Sequence, residues 1–151
     1  MTVKLRVAGL VVAAGLLAAC SGIKSYPDAS PKNLVVRPEL SKVRAALHIH
    51  RVKADCSTEY QGTVQLDRPT VQVGIPPERL SYLVLEFDSS SFLGGRSTTS
   101  VGTLLRPRSG YAYEAEARYR DSIYSVVIRE IDSRRASSRE IPRRDLSSCG
   151  R

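Results

Sequence analysis

Tyr111-Ala112-Tyr113-Glu114-Ala115-Glu116-Ala117-Arg118-Tyr119 alternates without a break. Tyr111, Tyr113, Ala115, Ala117 and Tyr119 fall on one side of an extended chain, and Glu114, Glu116 and Arg118 on the other, which is the period of two of a half-buried strand. Arg120-Asp121-Ser122 reads as a turn, after which Tyr124, Val126 and Ile128 resume the same alternation. The two runs predict an antiparallel hairpin with one face in a core and one in water.

Working upstream, Leu105-Arg106-Pro107-Arg108-Ser109-Gly110-Tyr111 has a Leu-x-Pro-x-x-x-Tyr spacing. It resembles the tyrosine corner of immunoglobulin-like and fibronectin-like sandwiches. That resemblance implies that the Tyr111 hydroxyl bonds back to the backbone just before it. Other strands follow from pattern: Leu34 to Arg37, Lys42 to Cys56 with Leu47 and Ile49 inward, Thr63 to Leu66, Thr70 to Val73, and Ser81 to Asp88 with Leu83, Leu85 and Phe87 on one face. Ser89 to Ser100, with Ser89-Ser90-Ser91 and Gly94-Gly95, reads as a loop. The expected fold is all-β: a single antiparallel β-sandwich of about seven to eight strands, similar to immunoglobulin-like and transthyretin-like domains, over residues 34–151.

Beyond Asp132 come Arg134, Arg135, Arg139, Arg143 and Arg144, with Ile141 and Leu146 as sparse apolar points before Cys149. An edge strand guarded by charge fits this composition. Read functionally, Arg134, Arg135, Arg143 and Arg144 form an anion-binding strip, diluted by Glu140 and Asp145.

The first nineteen residues have a separate logic. Lys4 and Arg6 precede an uncharged run from Val7 to Ala19, and Leu17-Ala18-Ala19-Cys20 closes it. As a helix the run would span about 20 Å, short of the roughly 30 Å hydrocarbon core of a bilayer. The pattern resembles a bacterial lipoprotein signal with its lipobox. The resemblance implies cleavage before Cys20, a diacylglyceryl group on its thiol and further acylation of the new amine, which together hold a protein permanently at a membrane. Ser21, unlike aspartate, does not resemble an inner-membrane retention signal in Gram-negative relatives. The expectation is therefore a signal peptide over residues 1–19, a lipidated cysteine and flexible tether over 20–33, and residence on the periplasmic face of the outer membrane.

Loss of residues 1–19 removes two cations and no acid, lowering the formal charge from +8 to +6 on 132 residues. It also resolves the cysteines. With Cys20 acylated, Cys56 and Cys149 are left as an even pair in an oxidising compartment, which reads as a structural disulfide tying the C-terminal tail to an early strand.

Little points to catalysis. The two histidines, His48 and His50, share one short strand, and no nucleophile elbow, phosphate loop or zinc-protease helix occurs. His48 and His50 at i and i+2 could offer two metal ligands, but no third is evident and Arg51 and Lys53 adjoin them, so a solvated pair without metal is expected. Ser109-Gly110-Tyr111-Ala112-Tyr113 resembles the Ser-Gly-x-x-Tyr element of periplasmic lysozyme inhibitors, which would give Ser109, Gly110 and Tyr113 a contact role. The chain departs from that family in having no tryptophan. Anchor and fold class also resemble the outer-membrane lipoproteins of secretion machines. The sequence thus predicts a binding or structural envelope protein rather than an enzyme, without cofactor. Its expected partners are a membrane through Cys20 and a protein or envelope component, but not nucleic acid.

Overall fold

A computed structural model describes residues 22–41, 43–91, 95–120 and 123–150; the signal segment, Cys20 and Ser21 lie outside them. The described strands are β1 (Leu34–Leu40), β2 (Val43–Val52), β3 (Thr58–Gln65), β4 (Val71–Val73), β5 (Ser81–Ser91), β6 (Gly95–Leu105), β7 (Ala112–Arg120), β8 (Ile123–Asp132) and β9 (Ser137–Ile141), followed by a single 3-10 turn at Leu146–Ser148. Two sheets, in the orders β4-β1-β7-β8-β9 and β3-β2-β5-β6, make the sandwich. The expected all-β, largely antiparallel architecture is present. Among the described residues it has nine strands, and β1 runs parallel to β7, with Leu34 opposite Tyr113 and Leu40 opposite Tyr119.

The alternating runs supply the core. Leu47 and Ile49 of β2 and Leu83, Leu85 and Phe87 of β5 are each at most 1% exposed, and Tyr113, Ala115 and Ala117 of β7 face them in one cluster with Leu34, Val36 and Ile128. Each large aliphatic or aromatic side chain so buried contributes about 1.5–3 kcal/mol of hydrophobic stabilisation. The small side chains of Ala115 and Ala117 leave room for rings: Phe87 and Tyr124 lie 4.8 Å apart, and Tyr124 stacks on Tyr119 at 4.7 Å.

Three local expectations are corrected. Ser89 to Ser100 is not an extended loop; β5 and β6 pair through Ser91↔Gly95, leaving only residues 92–94 between them. Serine and threonine suit this far end of the hairpin because its side chains stay wet, while the ladder satisfies the backbone and Arg96 Nε donates to Asp88 at 2.9 Å across it.

The stretch expected as a free tether is docked from Lys24 onward. Ser25 forms a parallel bridge with Thr63, flanked by Tyr26 N–H to Thr63 O at 2.9 Å and Thr63 N–H to Lys24 O at 2.8 Å. Further along, the Tyr26 hydroxyl donates to Gly74 O at 2.9 Å, and the Asn33 carboxamide both donates to Ile75 O and accepts from Ile75 N–H at 2.8 Å. Gly62, at φ +151°, permits this approach, since a Cβ there would sit 2.5 Å from Tyr26 Cα. Backbone pairing of this kind needs no apolar periodicity, so composition does not reveal it.

Cys56 and Cys149, 93 positions apart, are bonded as expected, but Cys56 sits in the turn after β2 rather than on a strand. The tail that reaches it leaves β9 at the edge of one sheet and crosses to the other. Leu104 N–H of β6 donates to Arg144 O at 2.8 Å, and Arg144 N–H donates to Thr103 Oγ1 at 3.2 Å. The tail is therefore a strap across the open side of the sandwich.

Candidate binding surface at the loop end

Strand direction gathers four loops at one end: residues 53–57 after β2, 74–80 after β4, 106–111 after β6 and 133–136 after β8. Three non-glycine residues with left-handed backbone, Cys56 (φ 63°), Glu78 (φ 60°) and Ala136 (φ 49°), each lie in one of them. Such conformations persist where surrounding contacts over-determine them, commonly at functional loops.

The best-determined part of this end is built on an acid facing inward. Tyr124, Val126, Ile128 and Glu130 share one phase of β8, and Glu130 is 5% exposed. Its carboxylate accepts from Tyr113 Oη at 2.8 Å and Arg139 Nε at 2.9 Å, and the Arg108 guanidinium grips it with two nitrogens, Nε at 3.0 Å and Nη2. Burial pushes this carboxyl up, but hydrogen bonds from Arg108, Tyr113 and Arg139 outweigh burial and hold it below the usual carboxylate value. Burial likewise raises the Tyr113 phenol, which stays a neutral donor. Arg108 also lies over the Tyr111 ring, 3.8 Å from its centroid.

The tyrosine-corner role falls to a different tyrosine. Arg108 N–H donates to Tyr113 Oη at 2.8 Å, so the hydroxyl that returns to the backbone belongs to Tyr113 rather than Tyr111. Alternation explains the shift: the inward position closest to the loop is 113, which is 1% exposed, whereas Tyr111 precedes the strand and is half-buried under Arg108.

Of the expected contact residues, Ser109, Gly110, Arg134 and Arg135 do converge here. Ser109 N–H donates to Glu78 Oε1 at 2.9 Å, Gly110 turns the chain at φ +80° with Arg134 beside it, and Arg135 meets Asp132 at 3.7 Å. Tyr113 is interior, a wall of this end rather than a contact on it. Arg143 and Arg144 lie apart on the strap, so the expected arginine strip is divided in two.

A second feature was not legible in sequence. Around the disulfide is an open concavity of about 430 Å³ lined by Arg51, Lys53, Arg79 and Arg106, with Val52, Ala54, Leu80 and the two cysteines. Arg51 pairs with Glu59 at 2.5 Å, with Lys53 at 4.0 Å from the same carboxylate. Neither Arg79 nor Arg106 meets an acid among the described residues. These cations come from the end of β2 and from three loops far apart in sequence, and only strand register unites them. Glu130 did leave a signal, an acid in the inward phase of an apolar strand.

On the outer face of the second sheet, His48 and His50 point the same way, as alternation predicts. They are not simply solvated. His48 Nδ1 lies 2.6 Å from Thr63 Oγ1, which also bonds the Tyr60 hydroxyl, and His48 Nε2 is 3.6 Å from Glu86. His50 sits between Tyr60 and Tyr82, at 5.4 and 6.2 Å. Burial and then the neighbouring His48 charge lower its pKa. No group of three or more His, Cys, Asp or Glu positioned for a metal occurs among the described residues.

No protein-family model and no curated protein matches this chain. A solved structure of sea bream transthyretin, in complex with thyroxine, is similar to it with 16% identity and a TM-score of 0.46, covering 64% of this chain and 93% of that one.

Proposed function

We propose that this protein is a lipid-anchored, periplasm-facing envelope protein of the binding type, held at the outer membrane through Cys20, that engages an anionic envelope component or acidic partner with the loop end of its sandwich. The observation that carries the reading is a group of cations on neighbouring loops that meet no acid. Along the sheets, Arg37 meets Glu114 at 3.1 Å, Arg118 meets Glu39 and Glu116 at 3.0 and 2.8 Å, and Arg129 meets Glu116 at 2.6 Å. At the loop end, Arg79, Arg106 and Arg134, from three converging loops, have no such acid among the described residues, and cations gathered in this way attract anionic partners. The buried Glu130 carboxylate of this end is held by Tyr113, Arg108 and Arg139, which suits a fixed platform for binding.

The test is expression of the full chain in a two-membrane bacterium fed labelled palmitate, with a photo-crosslinking residue at 54, beside the loop-end cations, or, at the opposite end, at 120. Label on the wild-type chain in the outer-membrane fraction, absent in Cys20→Ser, together with adducts from position 54 and none from 120, is the expected result. An unlabelled wild-type chain recovered in the soluble periplasm overturns the anchor; adducts from 120 alone overturn the loop end.

A further inference from the structure

The concavity over the Cys56–Cys149 bond has the composition of an anion receptor. We infer that it binds a phosphomonoester, with Arg79 and Arg106 as the gripping residues and Lys53 as a third cation. This deepens the proposed function by naming the chemistry recognised, and it rests on that reading only for where the phosphate is met.

The geometry begins with the strands. Ser81 pairs with both Arg51 and Leu105, so the chain entering β5 and the chain leaving β6 run side by side, and Val52 N–H to Leu80 O at 3.0 Å extends the pairing one step beyond β5. Arg79 and Arg106 therefore flank one opening. Cys56 N–H bonds Lys53 O at 3.0 Å and folds the next loop back, which sets Lys53 on the same rim. The floor is neutral: Val52, Ala54, Leu80 and the disulfide. Gly150, at φ +83°, passes over Cys56 with no side chain, and a Cβ there would be 3.8 Å from Cys56 Sγ. A neutral floor under a cationic rim strengthens attraction for an anion relative to open water.

The acids nearby leave Arg79 and Arg106 unanswered. Glu59 answers Arg51 and Lys53, the Asp55 carboxylate accepts from Ser57 N–H and Oγ at 3.0 and 2.6 Å, and Glu78 accepts from Ser109 N–H. Two guanidinium forks remain, each able to hold two oxygens of one group. A phosphomonoester carries about −1.5 to −2 charge at neutral pH with three acceptor oxygens. It meets two forks and an ammonium more fully than a carboxylate, which brings one charge and two oxygens.

The probes are inorganic phosphate, and phosphatidic acid doped into maltoside micelles, each added to the full chain while the arginine Nε–H resonances are followed by NMR. Either probe should shift the signals of Arg79 and Arg106, and 0.5 M sodium chloride should reverse the shift. A response to phosphate assigns a soluble ligand; a response to phosphatidic acid alone assigns a lipid headgroup. The double variant Arg79→Gln/Arg106→Gln should weaken the apparent affinity by about tenfold or more, with its disulfide intact by mass, while Arg143→Gln on the strap stays close to wild type. Silence of both resonances with both probes, or an equal loss in Arg143→Gln, overturns the inference. Neither measurement depends on acylation of Cys20, so failure here and failure of the palmitate test are separate results.

Discussion

The Tyr113 hydroxyl donates to Glu130 Oε2 at 2.8 Å, joining a buried phenol of β7 to a buried carboxylate of β8. Tyr113 Oη also accepts Arg108 N–H, so one side chain fixes the entry loop, the hairpin and the charge cluster together. Tyr113→Phe keeps the ring in the core but leaves a buried backbone N–H and a carboxylate oxygen short of a partner. It should cost about 1–2 kcal/mol in urea unfolding. Tyr111→Phe should cost less than about 0.5 kcal/mol. Equal losses would return the corner to Tyr111.

Asn33 holds both backbone groups of Ile75, which is itself fully buried. Asn33→Ala strands a buried donor and a buried acceptor, with an expected loss of about 2–3 kcal/mol. Because the docked segment begins upstream, faster exchange of the Thr63 amide, which donates to Lys24 O, and of the Tyr26 amide, which donates to Thr63 O, should accompany it. An unchanged unfolding midpoint would mean that the segment contributes nothing to stability.

Removal of the disulfide by Cys149→Ser should cost about 2–5 kcal/mol. The loss should appear first in the strap, as faster exchange of the Leu104 amide that donates to Arg144 O, with the β2–β5 ladder retaining its protection. Loss of protection everywhere at once would show that the strap is no separate unit.

Acid should weaken the fold in two stages. His50 has a pKa lowered from 6.5, first by burial and then by His48, so it favours the folded state in full above pH 6.5 and loses that contribution as pH falls through its depressed value. Glu130 is lowered from 4.5, its hydrogen bonds to Arg108, Tyr113 and Arg139 outweighing burial; its contribution is present above pH 4.5 and is lost below. His50→Gln should flatten the stability profile just below pH 6.5, and Glu130→Gln the profile below pH 4.5. A wild-type profile flat from pH 7 to 4 would contradict both.

The disulfide partners and the hairpin of Tyr111 to Ile128 were legible because each depends on residue identity or a period of two, both local properties. The β5–β6 hairpin was hidden since its wet end selects serine and threonine, the residues of loops, and the docked segment since main-chain bonds carry its attachment. The tyrosine corner was recognised by spacing but displaced by two, because spacing does not record which ring faces inward when the loop precedes the strand.

Sequence by itself determined the lipobox pattern at Cys20, the class of fold, the inward faces of β2, β5 and β7, and the even pair of cysteines, since patterning and redox chemistry follow from the order of residues. Tertiary structure alone decided which charges meet. It set Glu130 among Arg108, Arg139 and Tyr113, separated Arg134 and Arg135 from Arg143 and Arg144, and brought Lys53, Arg79 and Arg106 around one disulfide. Electrostatic attraction acts through space, and the distances between these groups exist only once two sheets have set the register of their strands.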